Sequence, residues 1–109
     1  MAFVTDGCVR DIPGIRDVGL PCFATGVTPN SPVKNGPGTV NLPIVLAGRS
    51  VAPGDVVIGD ADGVVVIPSE AETETLRRAW NKVNEEDAVR AAIAAGMKAT
   101  EAYAKYGVL

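Results

Sequence analysis

The chain changes character at Ser69. From there to about Ala95 it carries helix-favouring residues without a glycine or proline, and Pro68 stands just before the change. Ser69-x-x-Glu72 has the form of a capping box, in which a hydroxyl and a carboxylate each satisfy an amide left bare where a helix starts. Gly96 is placed to cap the other end. The pattern predicts a long helix over 69–95 and a second, short one over 98–106. Residues 1–68 read instead as apolar, β-branched runs cut by glycine and proline, which is the signature of strands and turns. At 109 residues one domain is expected. It is of α/β class, with 1–68 mainly β and loops and 69–109 helical.

Leu76, Trp80, Val83, Ile93 and Met97 are expected on one apolar stripe of the long helix. Glu86 falls between Val83 and Ile93 on that side, with Arg90 four residues on, while Glu85 points away. A carboxylate on a face meant for burial needs a partner. Two readings follow. Either Glu86 and Arg90 pair at the edge of the stripe with their stems over apolar surface, or the helix presents Glu86 to a site, across a subunit interface.

In the first part, Phe3 to Asp11 opens as a short apolar strand, breaks at Asp6-Gly7 and delivers Arg10 beside Asp11. Strand ends are where chemistry tends to sit. A carboxylate can hold a hard cation, and a guanidinium can hold a carboxylate or a developing oxyanion. The same two residues can also be a surface ion pair in a turn. Ile12 to Ile15 reads as a tight turn and Val18 to Ala24 as a second strand interrupted by Pro21. Gly26 to Gly38 is a loop with Lys34 as its cation, and Thr39 to Leu46 is a strand candidate with Pro43 marking an edge or bulge. After a Pro-Gly turn at 53–54, Val56–Ile58 and Val64–Ile67 flank Gly59 to Gly63, which predicts a hairpin. Asp60 and Asp62 have the spacing that opens a calcium loop but lack its other ligands, so turn chemistry accounts for them better.

Composition narrows the function. Formal net charge is −3, without the basic footprint of a nucleic-acid binder. Histidine is absent, which excludes a histidine-based triad or base and a zinc site of the usual His/Cys type. A metal would be held by oxygen, pointing to Mg²⁺, Mn²⁺ or Ca²⁺. Apolar residues, at 47%, suffice for a core. Cys8 and Cys22 form no CxxC pattern and are expected as buried free thiols of a reducing compartment. With no signal peptide and no long apolar run, a soluble, cytoplasmic protein without membrane contact is expected.

Several stretches, taken in order, resemble one family. Val4-Thr5-Asp6-Gly7-Cys8-Val9-Arg10-Asp11 looks like the DGxxRD signature of the RraA-like superfamily. Ser31-Pro32 through Gly38, Val51 to Val57, Gly59 to Pro68, and the acidic helix with Glu85-Glu86 and Val89-Arg90 fit the same pattern. That superfamily includes 4-hydroxy-4-methyl-2-oxoglutarate/4-carboxy-4-hydroxy-2-oxoadipate aldolases and ribonuclease E inhibitor proteins. The resemblance implies a swivelling β/β/α domain, a homotrimer or hexamer, and active sites between subunits. It implies class II aldolase or oxaloacetate decarboxylase chemistry giving pyruvate from a small 2-oxo acid. Asp11 would be the ligand of Mg²⁺ or Mn²⁺, Arg10 would bind substrate and stabilise the enolate, and Glu86 would act from a neighbouring subunit. The inhibitor branch implies the alternative, a non-catalytic protein that binds a ribonuclease. The family also has a Gly-rich segment and an aspartate about twenty residues before its Arg-Asp pair. Met1 lies too close to Arg10 for either, so the chain is expected to correspond to the C-terminal portion of a family member.

Overall fold

The structure, a computed structural model, describes residues 1–107. These divide into two compact units, the first from Met1 to Ser69 and the second from Glu70 onward.

The first unit begins with interleaved short strands. β1 (Phe3–Val4) pairs in parallel with β3 (Cys22–Phe23), and β2 (Cys8–Val9) pairs in parallel with β4 (Gly26–Val27). Parallel neighbours need a crossover, and α1 (Ile12–Asp17) lies within it. Ile12 to Ile15 is therefore helical and not a tight turn. Pro13 sits in the first helical turn, where its missing N–H costs nothing and its fixed φ suits the helix. The strand expected over Val18 to Ala24 shrinks to Cys22–Phe23 for a related reason. Val18 caps α1, Gly19 turns with φ 66°, and Pro21 cannot donate to a ladder, although its carbonyl accepts the Phe3 N–H at 2.9 Å.

Two antiparallel hairpins follow. β5 (Ile44–Leu46) pairs with β6 (Arg49–Val51), and β7 (Val56–Gly59) pairs with β8 (Val64–Ile67). The second matches the expected hairpin. The first is shorter than the Thr39 to Leu46 reading because it starts only after Pro43, and Asn41 is already left-handed at φ 58°. In the 60–63 loop, Asp60 Oδ1 accepts the N–H groups of Asp62 (2.9 Å) and Gly63 (3.3 Å), so this aspartate spends itself on the turn. Asp55 staples the Pro-Gly turn to the end of the unit: its two oxygens accept the N–H groups of Ala52 (2.8 Å) and Ser69 (3.0 Å).

In the second unit, a 3₁₀ turn (Ser69–Ala71) leads into α2 (Glu72–Ala94), and α3 (Ala99–Tyr106) packs against it. Ser69 does not form the expected capping box. Ala71 occupies the N-cap without a side-chain bond, and the Ser69 N–H is engaged by Asp55. The other end is as expected. Gly96, at φ 98°, donates to Ile93, and Met97 donates to Ala92, the paired bonds of a Schellman ending. The expected stripe is not a buried face. Leu76, Trp80, Val83 and Ile93 are exposed, and Val89 and Ala102 are the buried residues of the two helices. At about 100° per residue, Ile93 lies about 100° round from Leu76, so the five residues never shared one narrow face.

Burial is sparse throughout. Among the described residues only Ile67, Val89 and Ala102 are buried, and many valines and isoleucines of the strands face solvent. An apolar composition that suffices for a core has not built one within this chain. Cys8 and Cys22 are free, as expected, but Cys8 is exposed and Cys22 half-buried, because two-residue strands leave them little cover.

Candidate active site

The turn that introduces Arg10 and Asp11 is tied down from three sides within the first unit. Thr5 Oγ1 accepts the Gly7 N–H at 3.0 Å. The Thr25 hydroxyl lies 2.9 Å from the Gly7 carbonyl and 3.1 Å from that of Asp6, and the Thr25 N–H also donates to Gly7 at 3.1 Å. Asp6 Oδ2 accepts the N–H of Ala47 at 2.9 Å. β2 then carries the chain outward, with the Val9 carbonyl accepting from Thr28 at 2.9 Å. Arg10 and Asp11 emerge at its end, both exposed.

Asp11 is the N-cap of α1 and adopts a left-handed conformation, φ 63° and ψ 44°. Such a conformation is uncommon outside glycine, and aspartate and asparagine are the side chains that tolerate it best. Its carbonyl accepts the Ile15 N–H at 3.1 Å, whereas its carboxylate makes no capping bond. The carboxylate lies over Gly14: a Cβ added there would sit 3.0 Å from Oδ2. Among the described residues, neither Arg10 nor Asp11 forms an ion pair within 4 Å, so the surface ion-pair reading of these two fails. They stand side by side as an uncompensated cation and anion.

Glu86 belongs to the second unit. It is half-buried and has Arg90 at 3.8 Å and Lys82 at 4.0 Å. Arg90 also reaches Asp87 at 3.1 Å, so Glu86 shares that cation. The Glu86–Arg90 pair expected from the helical spacing is present.

The donor set bears on which metal could sit here. Among the described residues no group of three or more His, Cys, Asp or Glu side chains is arranged to hold an ion. A single carboxylate, free of competing hydrogen bonds, suits a hard cation that keeps most of its water shell, which is how Mg²⁺ is usually bound. It does not suit zinc, nor the many-oxygen cage of calcium.

A concavity of the first unit lies elsewhere. It is an open groove of about 850 Å³ whose apolar lining includes Val4, Phe23, Leu46, Val64, Val66 and Pro68. Neither Arg10 nor Asp11 lines it. Asp6 does, on the opposite side of β2 in sequence from the Arg-Asp pair. The sequence marks Asp6 as a turn-former and as the first residue of the DGxxRD signature, without a partner, and does not mark Thr25. Their roles depend on partners far along the chain, which no local pattern signals. No helix is long and apolar enough to cross a membrane among the described residues.

Known proteins place this architecture. The family model described as RraA-like, Aldolase/RraA, matches residues 1–66. A Halalkalibacterium halodurans protein provisionally named 4-hydroxy-4-methyl-2-oxoglutarate aldolase is 40% identical over 101 residues, 93% of this chain and 48% of that protein. The 4-hydroxy-4-methyl-2-oxoglutarate aldolase of Thermus thermophilus is 35% identical over 65 residues, 60% of this chain and 40% of its own length. Of solved structures, an uncharacterized Pseudomonas syringae protein superposes with a TM-score of 0.80 at 31% identity, over 88% of this chain and 48% of that one. A Streptomyces coelicolor protein described as an unusual member of the RNase ES inhibitor RraA family superposes at 0.70 with 34% identity, over 80% of this chain and 45% of that one. The chain spans about half the length of the Halalkalibacterium halodurans relative and of a Methanocaldococcus jannaschii relative, each of which it matches over most of its own length. By sequence and by α/β fold, it belongs to the RraA-like aldolase/RraA family.

Proposed function

We propose that this chain carries the Arg-Asp half of a divalent-metal-dependent lyase site that releases pyruvate from a 4-hydroxy-2-oxo diacid or from oxaloacetate. The observation that carries the reading is the exposed, uncompensated Arg10–Asp11 pair at the end of β2, in a chain whose relatives are named as aldolases. Breaking the C3–C4 bond, one carbon removed from the 2-oxo group, leaves its electron pair on C3 of the pyruvate fragment as an enolate, which is then protonated. The other fragment leaves as a carbonyl compound once its 4-hydroxyl gives up a proton, or, from oxaloacetate, as CO₂. Asp11 would hold Mg²⁺ or Mn²⁺, and the bound cation supplies the Lewis acidity that polarises the 2-oxo group. Arg10, fixed beside Asp11 by the backbone, offers a planar two-pronged donor to the substrate carboxylate and a positive charge to the forming enolate. Glu86 would act from a neighbouring subunit as the acid–base group at the leaving fragment, its charge balanced by Arg90 and Lys82 until substrate arrives. That role requires a homo-oligomer, a trimer or hexamer. The many exposed apolar residues favour assembly, and a clean monomer in light scattering at micromolar concentration would exclude it.

Pyruvate release from oxaloacetate and from 4-hydroxy-4-methyl-2-oxoglutarate, with Mg²⁺ and with Mn²⁺, tests the proposal. Asp11→Ala is expected to bring the rate to background. Arg10→Ala should lower it roughly a hundred- to a thousandfold, the scale of losing one charge-stabilising donor. If the wild-type chain is silent with both ions, alone and when joined to the remaining half of a full-length relative, the lyase reading is wrong. The likeness to the Streptomyces protein favours a second reading, in which the chain binds a ribonuclease without doing chemistry. Capture of an RNA-degrading enzyme by a chain that releases no pyruvate would select it.

A further inference from the structure

We propose that Asp6 is a positioning residue for the Arg10–Asp11 pair: its carboxylate latches the turn ahead of β2 to the tip of the β5–β6 hairpin. The inference rests on the metal reading of Asp11 above, and adds a residue which that reading does not use.

The hairpin tip explains why a latch is needed. Leu46 and Arg49 close a two-residue loop in which Ala47 and Gly48 both have positive φ, 48° and 77°. That is the turn whose twist matches a hairpin, but it normally places asparagine, aspartate or glycine first. Alanine pays for the left-handed conformation with a Cβ clash. The N–H of the first loop residue also points away from the ladder and lacks a strand partner. Asp6 Oδ2 supplies one at 2.9 Å, and a bond to a charged acceptor is stronger than one between neutral groups.

The other end of the latch explains what it controls. Asp6 lies in the turn that Thr5 and Thr25 also bind, and two residues later β2 begins. β2 is only two residues long and makes two ladder pairs, Cys8 with Gly26 and Val9 with Val27. A strand so short does not fix its own placement. Its position comes from the neighbours at its two ends, Thr25 and Asp6 before it and Thr28 after it. Arg10 and Asp11 follow with no intervening residue. A movement of the Asp6 turn is therefore carried straight into the pair, and among the described residues no group of three or more His, Cys, Asp or Glu side chains is arranged to hold the ion in its place.

Asp6 is also a carboxylate, so the test must separate a latch from a second metal ligand. Asp6→Ala removes the acceptor. Asp6→Asn keeps an acceptor oxygen but loses the charge that a cation needs. The readouts are amide exchange at Ala47, amide chemical shifts of Arg10 and Asp11 in the metal-free chain, and Mn²⁺ affinity from the free-ion electron paramagnetic resonance signal. The latch predicts that D6A loses protection at Ala47, moves the Arg10 and Asp11 shifts, and weakens Mn²⁺ binding by roughly tenfold or more, the scale seen for groups that orient metal ligands. D6N, with a weaker neutral acceptor, should bring all three most of the way back to wild type. The proposal is overturned if D6A leaves Arg10, Asp11 and Mn²⁺ affinity unchanged. It is equally overturned if D6N keeps Ala47 protected yet loses Mn²⁺ as fully as D6A does. Should D6A fail to fold, D6N alone decides between near-wild-type affinity and loss. Asp11→Ala is the separate control. If it binds Mn²⁺ as tightly as wild type, the metal reading fails, and the amide shifts alone judge the Asp6 latch.

Discussion

In the helical unit, the bonds of Glu74, Glu86 and the Gly96 ending join residues that are close in sequence. Glu74 holds Arg77 and Arg78, Glu86 has Lys82 and Arg90, and Gly96 closes on Ile93. In the first unit, several of the bonds that set the architecture reach far along the chain. Asp6 finds Ala47, Thr25 finds Gly7, and Asp55 finds Ser69. Neither unit is held by a large buried core. The strand-and-loop unit instead uses side chains as staples between backbone segments, and the helical unit satisfies its backbone internally. The difference predicts that damage in the first unit spreads to distant segments, while damage in the second stays where it is made.

Gly59 offers the largest test. The ring of Phe23 lies against its backbone so closely that an added Cβ would sit 2.5 Å from Cζ. Phe23 belongs to β3, whose partner is β1. Gly59→Ala should cost about 1–3 kcal/mol, the usual penalty of overpacking, read as a lower urea midpoint at unchanged slope. The diagnostic is where protection is lost. The amides of Phe3 and Thr5, which bond the carbonyls of Pro21 and Phe23, should exchange faster, although Gly59 is more than fifty residues away. Amides in the middle of α2 should not change. If they lose protection equally, the two units unfold as one, and the contrast between them has no energetic meaning.

Asp55 should have a smaller effect of the same kind. Asp55→Ala leaves the N–H groups of Ala52 and Ser69 without their acceptors, a loss of about 1–2 kcal/mol for two partly exposed bonds. Asp55→Asn keeps one acceptor oxygen and should lose about half as much, because its amide group would face the second N–H donor to donor. Equal losses from both variants would mean that charge, and not bond geometry, is what the staple supplies.

The same contrast governs what could be read from the sequence. The long helix, its Gly96 ending, the 98–106 helix and the β7–β8 hairpin were legible, because each is specified by residues within a few positions of one another. Arg10 and Asp11 stood out as an adjacent pair in a motif, and the structure leaves both exposed at a strand end. What escaped notice needed long-range knowledge. Ser69 looked like a cap, but a more distant carboxylate claims its amide. Ile12 to Ile15 looked like a turn because Pro13 and Gly14 are breakers inside a helix, yet a proline at a helix start is not a breaker. Strands of two residues, β1 to β4, lie below the length at which alternation can be seen at all. The stripe on α2 was drawn from spacing alone, and no spacing rule says which face α3 will cover.

The smallest effect tests the local side of the contrast. Glu74 is exposed, and its carboxyl is held below its ordinary value of 4.5 first by Arg77 and then by Arg78. Arg77 is raised in turn by the same contact. A carboxylate with a lowered folded value stabilises the protein above the unfolded carboxylate range, and the contribution is lost as pH falls through the lowered value. Thermal midpoints of wild type and Glu74→Gln should therefore differ slightly near neutral pH and converge in acid. Added salt should narrow the gap at neutral pH, since exposed pairs are screened. The loss should be confined to the first turns of α2, where Glu74 also favours the positive end of the helix dipole. A Glu74→Gln change that altered exchange at Ala47 or Phe3 would show the helical unit acting at a distance, and the division between local and distant bonding would have to be abandoned.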